Sequence, residues 1–363
     1  MSTLKRVLIV HPYGIGDFLF VTPVLRALRL VPTIEKVDLL LGSRTSETAR
    51  ANPHVDEIFV VDKDLFHRRG RGANLNAALK LGLELRQRRY NLMLDYSFRG
   101  EYAFFGRTFM GIPKTAGFDR KRRGFFHTVR LPVRGFEGRH VTDYYCELAE
   151  KAGVPVAHRF LEFYLQKADR ESARSKRAEA GVKKEGRYLV VAPGGGESWG
   201  KDAHFKRWPV PYFADLSARL IAQLGLDGVW IAGSGSEKPL CAELCGLLKN
   251  SLDLSGKLSL GETAALIADA VLFLGNDGGL MHMAHALRIP VVALFGPVDP
   301  AVYGPYPPAS TARAVYDRAL ECRPCYQNFR YKSDCARREC LQAFSPDAVW
   351  QELQTSGFFQ ALR

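Results

Sequence analysis

Short runs of consecutive apolar residues recur along the chain, each followed by a polar or glycine-containing turn. Such runs are typical of strands that are buried on both faces of a parallel sheet. The predicted strands cover residues 7–11, 37–41, 57–61 and 92–95, then 188–192, 228–232, 270–274 and 291–295. Helical periodicity lies between them, at about 17–30, 73–89, 168–180, 212–224, 237–248 and 279–287. The pattern therefore predicts an α/β protein.

The alternation of strands and helices favours right-handed crossovers and doubly wound sheets. Periodicity is lost over residues 155–167 and then restarts, and 363 residues suffice for two domains. We predict two Rossmann-like domains, residues 1–165 and 166–345, facing each other across a cleft. Residues 346–363 are predicted to form a C-terminal helix that packs back toward the first domain. Ligands of such sheets bind beyond the carboxyl ends of the strands, so the turns there are expected to carry the chemistry.

Composition narrows the class of protein. Hydrophobic residues make up 47% and charged residues 25%, as in globular proteins. No apolar run approaches the roughly 20 residues of a membrane-spanning helix. The N-terminus lacks the features of a signal peptide, which predicts a cytoplasmic protein.

Positive charge is concentrated in the first half of the chain. The net charge is +13; residues 1–170 contain 29 Lys and Arg against 18 Asp and Glu, and the remainder contains 22 against 20. The densest basic run is Arg120, Lys121, Arg122 and Arg123, followed by Phe125 and Phe126. A solvated loop, an anionic glycolipid and an anionic membrane surface all fit this run. Nucleic acid fits less well, because the sequence contains no zinc finger, RNP-like stretch or basic heptad helix.

The turn after the first strand contains Gly14, Gly16 and Asp17. A G-x-G alone is a weak dinucleotide signal, and the third glycine of that fingerprint would fall at Leu19. Asp17 begins a predicted helix, where a carboxylate often serves only as the N-cap.

Two glycine-rich turns in the second half suit a phosphate. Residues 194–196 are all glycine, and Gly278 and Gly279 open a helix directly after a strand. Free backbone N–H groups at such turns bind phosphate, and Lys206 could neutralise it. A P-loop is excluded because no Gly-Lys-Ser/Thr follows. His282 falls in the first turn of that helix, although a lone histidine is more often structural.

Four segments of the chain form a recognisable set. They are Gly14-Ile15-Gly16-Asp17 with Thr22-Pro23, Lys206-Arg207-Trp208-Pro209, Gly275-Asn276-Asp277-Gly278-Gly279-Leu280-Met281-His282, and Phe295-Gly296-Pro297-Val298-Asp299-Pro300. Together they resemble glycosyltransferase family nine, the ADP-heptose:lipopolysaccharide heptosyltransferases of the GT-B type. The match runs from Val7 to about Cys325. The resemblance implies an inverting, metal-independent transfer of heptose from ADP-heptose to the lipopolysaccharide inner core. It also implies an anionic glycolipid acceptor in the first domain, and a peripheral enzyme at the cytoplasmic face of the inner membrane.

The resemblance also implies roles for individual residues. Asp17 matches the general base, and Lys206 matches the lysine that neutralises the leaving diphosphate. Asp277 matches the acid that contacts the heptose, and Glu237 is expected to reach the ribose. His282 matches the histidine of the nucleotide pocket, with Gly278 and Gly279 lending backbone N–H groups. Gly278 departs from the many members that carry Ser or Thr there. Arg120, Lys121, Arg122 and Arg123 are the candidate acceptor-binding residues.

Four cysteines cluster near the end of the chain: Cys322, Cys325, Cys335 and Cys340. In a cytosolic protein such spacing suggests a metal, and thiolate sites suit zinc or iron. A structural zinc or iron ion is therefore one expectation. Free thiols and disulfides are the alternatives, and no cofactor is expected in catalysis.

Two rival functions remain at this point. The chain could use another sugar nucleotide or a protein acceptor, or it could bind a nucleotide sugar without turnover. The joint presence of Asp17, Lys206, Asp277 and His282 argues against the second, because a sensor has no use for a base.

Overall fold

The chain divides into two compact α/β units, Met1–Leu161 and Glu162–Arg363. The computed structural model describes residues 4–43, 45–61, 71–179, 186–196, 200–331, 335 and 337–362. The sequence pattern puts the boundary four residues later, between residues 165 and 166.

The first unit contains one six-stranded parallel sheet with the strand order β3-β2-β1-β4-β5-β6. Its strands are β1 (Arg6–His11), β2 (Lys36–Gly42), β3 (Glu57–Val61), β4 (Leu92–Asp95), β5 (Lys114–Asp119) and β6 (Val129–Pro132). Its described helices are α1 (Ile15–Leu19), α2 (Thr22–Leu30), α3 (Ser46–Ala49), α4 (Arg71–Gln87), α5 (Gly100–Thr108) and α6 (Val141–Lys151).

The second unit repeats this plan with the order β12-β11-β10-β7-β8-β9. Its sheet contains β7 (Tyr188–Ala192), β8 (Gly228–Ile231), β9 (Ser251–Asp253), β10 (Leu272–Asn276), β11 (Val291–Leu294) and β12 (Ala312–Val315), and the strands β13 (Tyr326–Gln327) and β14 (Arg330–Tyr331) form a separate hairpin. Its described α-helices are α7 (Lys167–Glu179), α8 (Val210–Leu224), α9 (Lys238–Leu247), α10 (Leu260–Ala268), α11 (Gly279–Ala286), α12 (Pro300–Tyr303), α13 (Glu339–Gln342), α14 (Pro346–Thr355) and α15 (Phe358–Ala361). Short 3-10 turns cover Gly200–Lys206 and Gly235–Glu237.

Both sheets are buried on two faces, as the continuous apolar strands predict. Every residue of β4, β7 and β10 is buried. In each unit the strand order reverses between two central strands, β1 and β4 in the first and β7 and β10 in the second. A ligand site is expected beyond the carboxyl ends of these pairs. The predicted fold class of two Rossmann-like α/β domains is confirmed.

The C-terminal segment 346–363 belongs to the second unit. Val349, Leu353 and Phe358 are fully buried in the apolar core that also contains residues of β7, α8 and β12. This burial ties α14 and α15 to the second sheet, whereas the sequence prediction directs the segment toward the first domain.

One predicted helix is two helices in the structure. The expected helix at 17–30 is interrupted between Leu19 and Thr22, and α2 carries Pro23 in its first turn. Proline lacks an N–H group and its ring fits only the start of a helix. The hydroxyl of Thr22 donates to the carbonyl oxygen of Leu19 (2.7 Å), which ties the two helices at the break.

Candidate active site

Asn276 joins the two turns at the carboxyl edge of the second sheet. Its side-chain amide lies at the end of β10, donates to the carbonyl oxygen of Pro193 (2.6 Å) and accepts from the backbone N–H of Trp208 (3.1 Å). The turn after β7 and the segment that follows Lys206 are thereby held against β10. These segments are far apart in the sequence, and the structure brings them together as predicted for a phosphate site.

The turns approach each other so closely that Gly278 tolerates no side chain. A Cβ at Gly278 would lie 2.6 Å from the carbonyl oxygen of Gly195. Gly195 and Gly196 have positive φ angles of 76° and 84°, which glycine adopts without strain. The departure of Gly278 from the Ser or Thr of the resembling family thus has a steric reason in this chain.

Lys206 and Asp277 form a buried ion pair at this edge. The ammonium nitrogen of Lys206 lies 2.7 Å from the carboxylate Oδ2 of Asp277, and each side chain is only 8% exposed. Removing either charge would leave the other buried without its counter-ion, so each residue fixes the position of the other. The lysine has three N–H donors, and the carboxylate uses one of them in this contact.

The carboxylate of Glu237 contacts both the turn after β7 and the turn after β8. Its carboxylate is buried and accepts from the backbone N–H groups of Gly196 (2.9 Å) and Ser234 (2.8 Å). A Cβ at Gly194 would lie 1.9 Å from Oε1 of Glu237, so only glycine fits there. The ribose contact that the resemblance implies for Glu237 stays a prediction; in the structure its carboxylate orders the backbone of the two turns.

Helix α11 begins at the same edge, directly after Gly278. His282 lies in its first turn and is buried, and its backbone N–H donates to the carbonyl oxygen of Gly278 (3.4 Å). Lys206, Glu237, Asp277, Gly278, Gly279 and His282 are therefore all placed around the switch point of the second sheet. Residues 197–199, which complete the glycine-rich turn in the sequence, lie outside the described residues.

In the first unit, Asp17 follows β1 as the third residue of α1. The N-cap is Gly14, which has no side chain, so the N-cap alternative for Asp17 is wrong. Its carboxylate lies over the start of the helix, where Oδ2 would be 3.5 Å from a Cβ at Gly14. Asp17 is half-buried, and it lies at the switch point of the first sheet.

A second acidic residue, which is not among the predicted site residues, lies near this point. Asp95 ends β4, the strand that pairs with β1, and is buried; its Oδ1 accepts from the backbone N–H of Ser97 (2.8 Å). Its Oδ2 lies 3.7 Å from Nε2 of buried His127. Asp95 and Asp17 both raise the pKa of Tyr13, with burial as the larger cause. The end position of Asp95 on a strand predicted at 92–95 is the signal that marks it.

Asp95 and His127 both favour their neutral forms. Burial raises the pKa of Asp95 to about 7 and lowers the pKa of His127 to about 4. Within the described residues, neither Oδ2 of Asp95 nor Nδ1 of His127 has a hydrogen-bond partner. Between pH 4 and 7 the pair is therefore a protonated acid beside a neutral imidazole, with no charge to compensate.

We expect Asp95→Asn to stabilise the protein at alkaline pH. A raised acid pKa makes stability fall as pH rises from about 4 to 7, and the lowered histidine pKa makes it rise between about 4 and 6.5. The two trends offset each other in the native protein. The variant keeps only the trend caused by His127, so its unfolding free energy should rise from pH 4 to 6.5. At pH 8 it should exceed the native value by about 4 kcal/mol, as urea unfolding would measure.

The exposed Glu47→Gln, in the first turn of α3, is the control and should leave the pH profile unchanged. A variant that is less stable than the native protein at pH 8 would contradict the raised pKa of Asp95.

The basic run lies at the same edge of the first sheet. It follows β5, and the carbonyl oxygen of Arg123 would lie 2.7 Å from a Cβ at Gly100, the first residue of α5. Lys121 and Arg122 have positive φ angles of 53° and 62°. This turn is held by the carboxylate of Asp119, which accepts from the backbone N–H of Gly124 (3.1 Å). Lys121, Arg122 and Arg123 are exposed, and Arg120 is half-buried.

The four clustered cysteines all lie in the second unit. Cys322 is exposed, whereas Cys340 is buried in the apolar core of the second unit, where burial raises its pKa to about 12. Among the described residues, which include all four cysteines, no three His, Cys, Asp or Glu side chains are placed to hold one ion. The structural zinc or iron ion stays a prediction.

None of the helices in the described ranges combines the length and apolar character needed to traverse a bilayer.

The family model and the curated relatives described here point to the same family. The family model for glycosyltransferase family 9 (heptosyltransferase) matches residues 78–332. The chain is 36% identical over 121 residues to lipooligosaccharide heptosyltransferase 2 of Haemophilus influenzae, which is 32% of this chain and 33% of that protein. It is 26% identical over 367 residues to lipopolysaccharide heptosyltransferase 2 of Escherichia coli, covering 96% of this chain and 97% of that protein.

The fold is also similar to a solved structure. The E. coli ADP-heptose lipopolysaccharide heptosyltransferase II matches with a TM-score of 0.73 at 22% identity, covering 98% of this chain and 99% of that chain. The likeness agrees with the two Rossmann-like units described above.

Proposed function

We propose that this chain, which belongs to glycosyltransferase family 9, transfers a heptose from ADP-heptose to the lipopolysaccharide inner core. The observation that carries the proposal is the buried Lys206–Asp277 pair beside the glycine turns of the second sheet. The names of the relatives, all heptosyltransferases, support heptose as the sugar and lipopolysaccharide as the acceptor.

The second unit binds the donor. The diphosphate lies against the glycine turns and the start of α11, where backbone N–H groups favour negative charge. Lys206 directs its ammonium group to a phosphate oxygen, and Asp277 holds that group in place. Asp277 and His282 contact the heptose and the nucleotide, and Glu237 keeps the backbone of both turns in the binding conformation.

The reaction is a single inverting displacement. The acceptor hydroxyl oxygen forms a bond to the anomeric carbon, and Asp17 takes the hydroxyl proton. The bond from that carbon to the phosphate oxygen breaks, and its electron pair leaves with ADP. Charge that develops on the diphosphate is met by Lys206 and the helix N-terminus. No metal ion is needed for this step.

The first unit binds the acceptor. Its excess of basic residues and the exposed side chains of Lys121, Arg122 and Arg123 suit a phosphorylated glycolipid. The lipid part of such an acceptor lies in a bilayer, so the enzyme works as a peripheral protein at the cytoplasmic face of the inner membrane.

Transfer assays test this function directly. With ADP-heptose and a heptose-free lipopolysaccharide acceptor, we expect one heptose to be added, which mass spectrometry detects. The new linkage should have the opposite anomeric configuration to the donor, as measured by NMR couplings. Initial rates should be the same in excess EDTA as in Mg²⁺.

Transfer from a different sugar nucleotide, with none from ADP-heptose, would disprove the assigned donor. Retention of configuration would disprove the single displacement. Loss of rate in EDTA, restored by a divalent ion, would disprove the metal-independent step.

A further inference from the structure

Four phenylalanine side chains form an exposed cluster on the first unit. Phe104 and Phe105 lie on α5, and Phe125 and Phe126 lie on the connection from β5 to β6. Their exposed fractions are 41%, 54%, 73% and 38%. The ring centroids of Phe104 and Phe126 are 5.1 Å apart, those of Phe104 and Phe105 5.6 Å, and those of Phe125 and Phe126 5.5 Å. We name this cluster the aromatic patch.

The patch is contiguous because two separate segments are packed together. Phe104 meets Phe126 across the gap between α5 and the β5–β6 connection, where Gly100 lies against the backbone of Arg123. The other large apolar side chains that the described residues expose are aliphatic and lie on other elements. A contiguous exposed apolar surface on a globular protein generally marks an interaction site.

Positive charge borders the patch. Lys121, Arg122 and Arg123 are exposed, and only Gly124 separates them from Phe125 along the chain. Arg107 is exposed on α5, three residues after Phe104, and the acidic residue of that helix is Glu101 at its first turn. The surface therefore combines apolar rings with a border of mostly cationic side chains.

We propose that the aromatic patch and its basic border dock the enzyme on an anionic lipid bilayer. The rings enter the boundary between headgroups and acyl chains, and the cations contact lipid phosphates. Charge complementarity favours a bilayer over a second copy of this chain, because two such basic borders repel each other. This inference deepens the proposed function and depends on it for the presence of a lipid-anchored acceptor.

Vesicle binding tests the docking surface. The full chain should co-sediment with vesicles of phosphatidylethanolamine and phosphatidylglycerol and bind much more weakly to phosphatidylcholine alone. The double variant Phe105→Ser/Phe125→Ser removes the two most exposed rings and should weaken binding by at least about 10-fold, because each buried ring contributes strongly. The matched control is Leu79→Ser/Leu83→Ser, which removes two exposed apolar residues from α4 and should leave binding unchanged.

A second measurement separates this proposal from the function itself. With a deacylated, water-soluble acceptor, the Phe105→Ser/Phe125→Ser variant should keep the native kcat/KM, whereas its activity on acceptor embedded in vesicles should fall. Equal vesicle binding by this variant and the native chain would overturn the docking surface, as would concentration-dependent dimerisation that the variant abolishes. Failure of the native chain to modify the soluble acceptor would instead overturn the proposed function.

Discussion

Asp17→Asn is expected to lower kcat by about 10²- to 10⁴-fold, the usual contribution of a general base. Asparagine has nearly the same shape but cannot accept the acceptor proton. The affinity for ADP-heptose should stay within about twofold, because Asp17 belongs to the first unit and the proposed diphosphate site to the second. Steady-state kinetics and calorimetric titration of ADP-heptose measure the two quantities.

The control for this variant is Glu47→Gln, an exposed acid in the first turn of α3. It should leave kcat unchanged. If Asp17→Asn instead lowers the melting temperature while the folded fraction turns over at the native rate, Asp17 has only a structural role.

Lys206→Met is expected to damage both folding and catalysis. It leaves the buried carboxylate of Asp277 without its ion-pair partner, and breaking such a pair costs about 3–5 kcal/mol of stability. The rate should also fall by about 10²-fold or more, because one positive group is lost from the developing diphosphate charge. Urea unfolding and transfer kinetics measure the two effects.

The double variant Lys206→Met/Asp277→Asn separates them. Removing both charges should restore most of the stability without restoring the rate. Lys36→Met serves as the matched control. The side chain of Lys36 in the Lys36–Asp56 ion pair is 50% exposed, so loss of this pair should cost no more than about 1 kcal/mol of stability. Full recovery of activity in the double variant would exclude Lys206 from the reaction.

The sheets could be predicted from the sequence because their central strands are buried on both faces. The runs at β1, β4, β7 and β10 are almost entirely apolar, and short apolar runs bounded by turns are typical of such strands. Strands β5 and β6 lack a continuous apolar run, because Gly117 interrupts β5 and β6 contains Arg130 and Pro132. The missing side chain of Gly117 leaves room for the imidazole of His127, a tertiary contact that no local pattern encodes.

The candidate site, like the fold, could be predicted from the sequence only in part. Motif matching finds Lys206, Asp277 and Gly278, and the structure gathers them at one edge of the sheet. Motif matching does not reveal that the carboxylate of Glu237 already accepts hydrogen bonds from two backbone N–H groups. Motif matching also does not find Asp95. A carboxylate at the end of a strand indicates a ligand site only once the order of the strands in the sheet is known.

The tight approach of Gly278 to the carbonyl oxygen of Gly195 has a consequence for protein engineering. A serine grafted at position 278, to imitate other members of the family, would push its Cβ into the backbone of the facing turn. That turn is fastened at Gly196 to the carboxylate of Glu237, so it has no freedom to retreat alone. An exchange of these turns between homologues should therefore replace residues 194–196, Glu237 and Gly278 together.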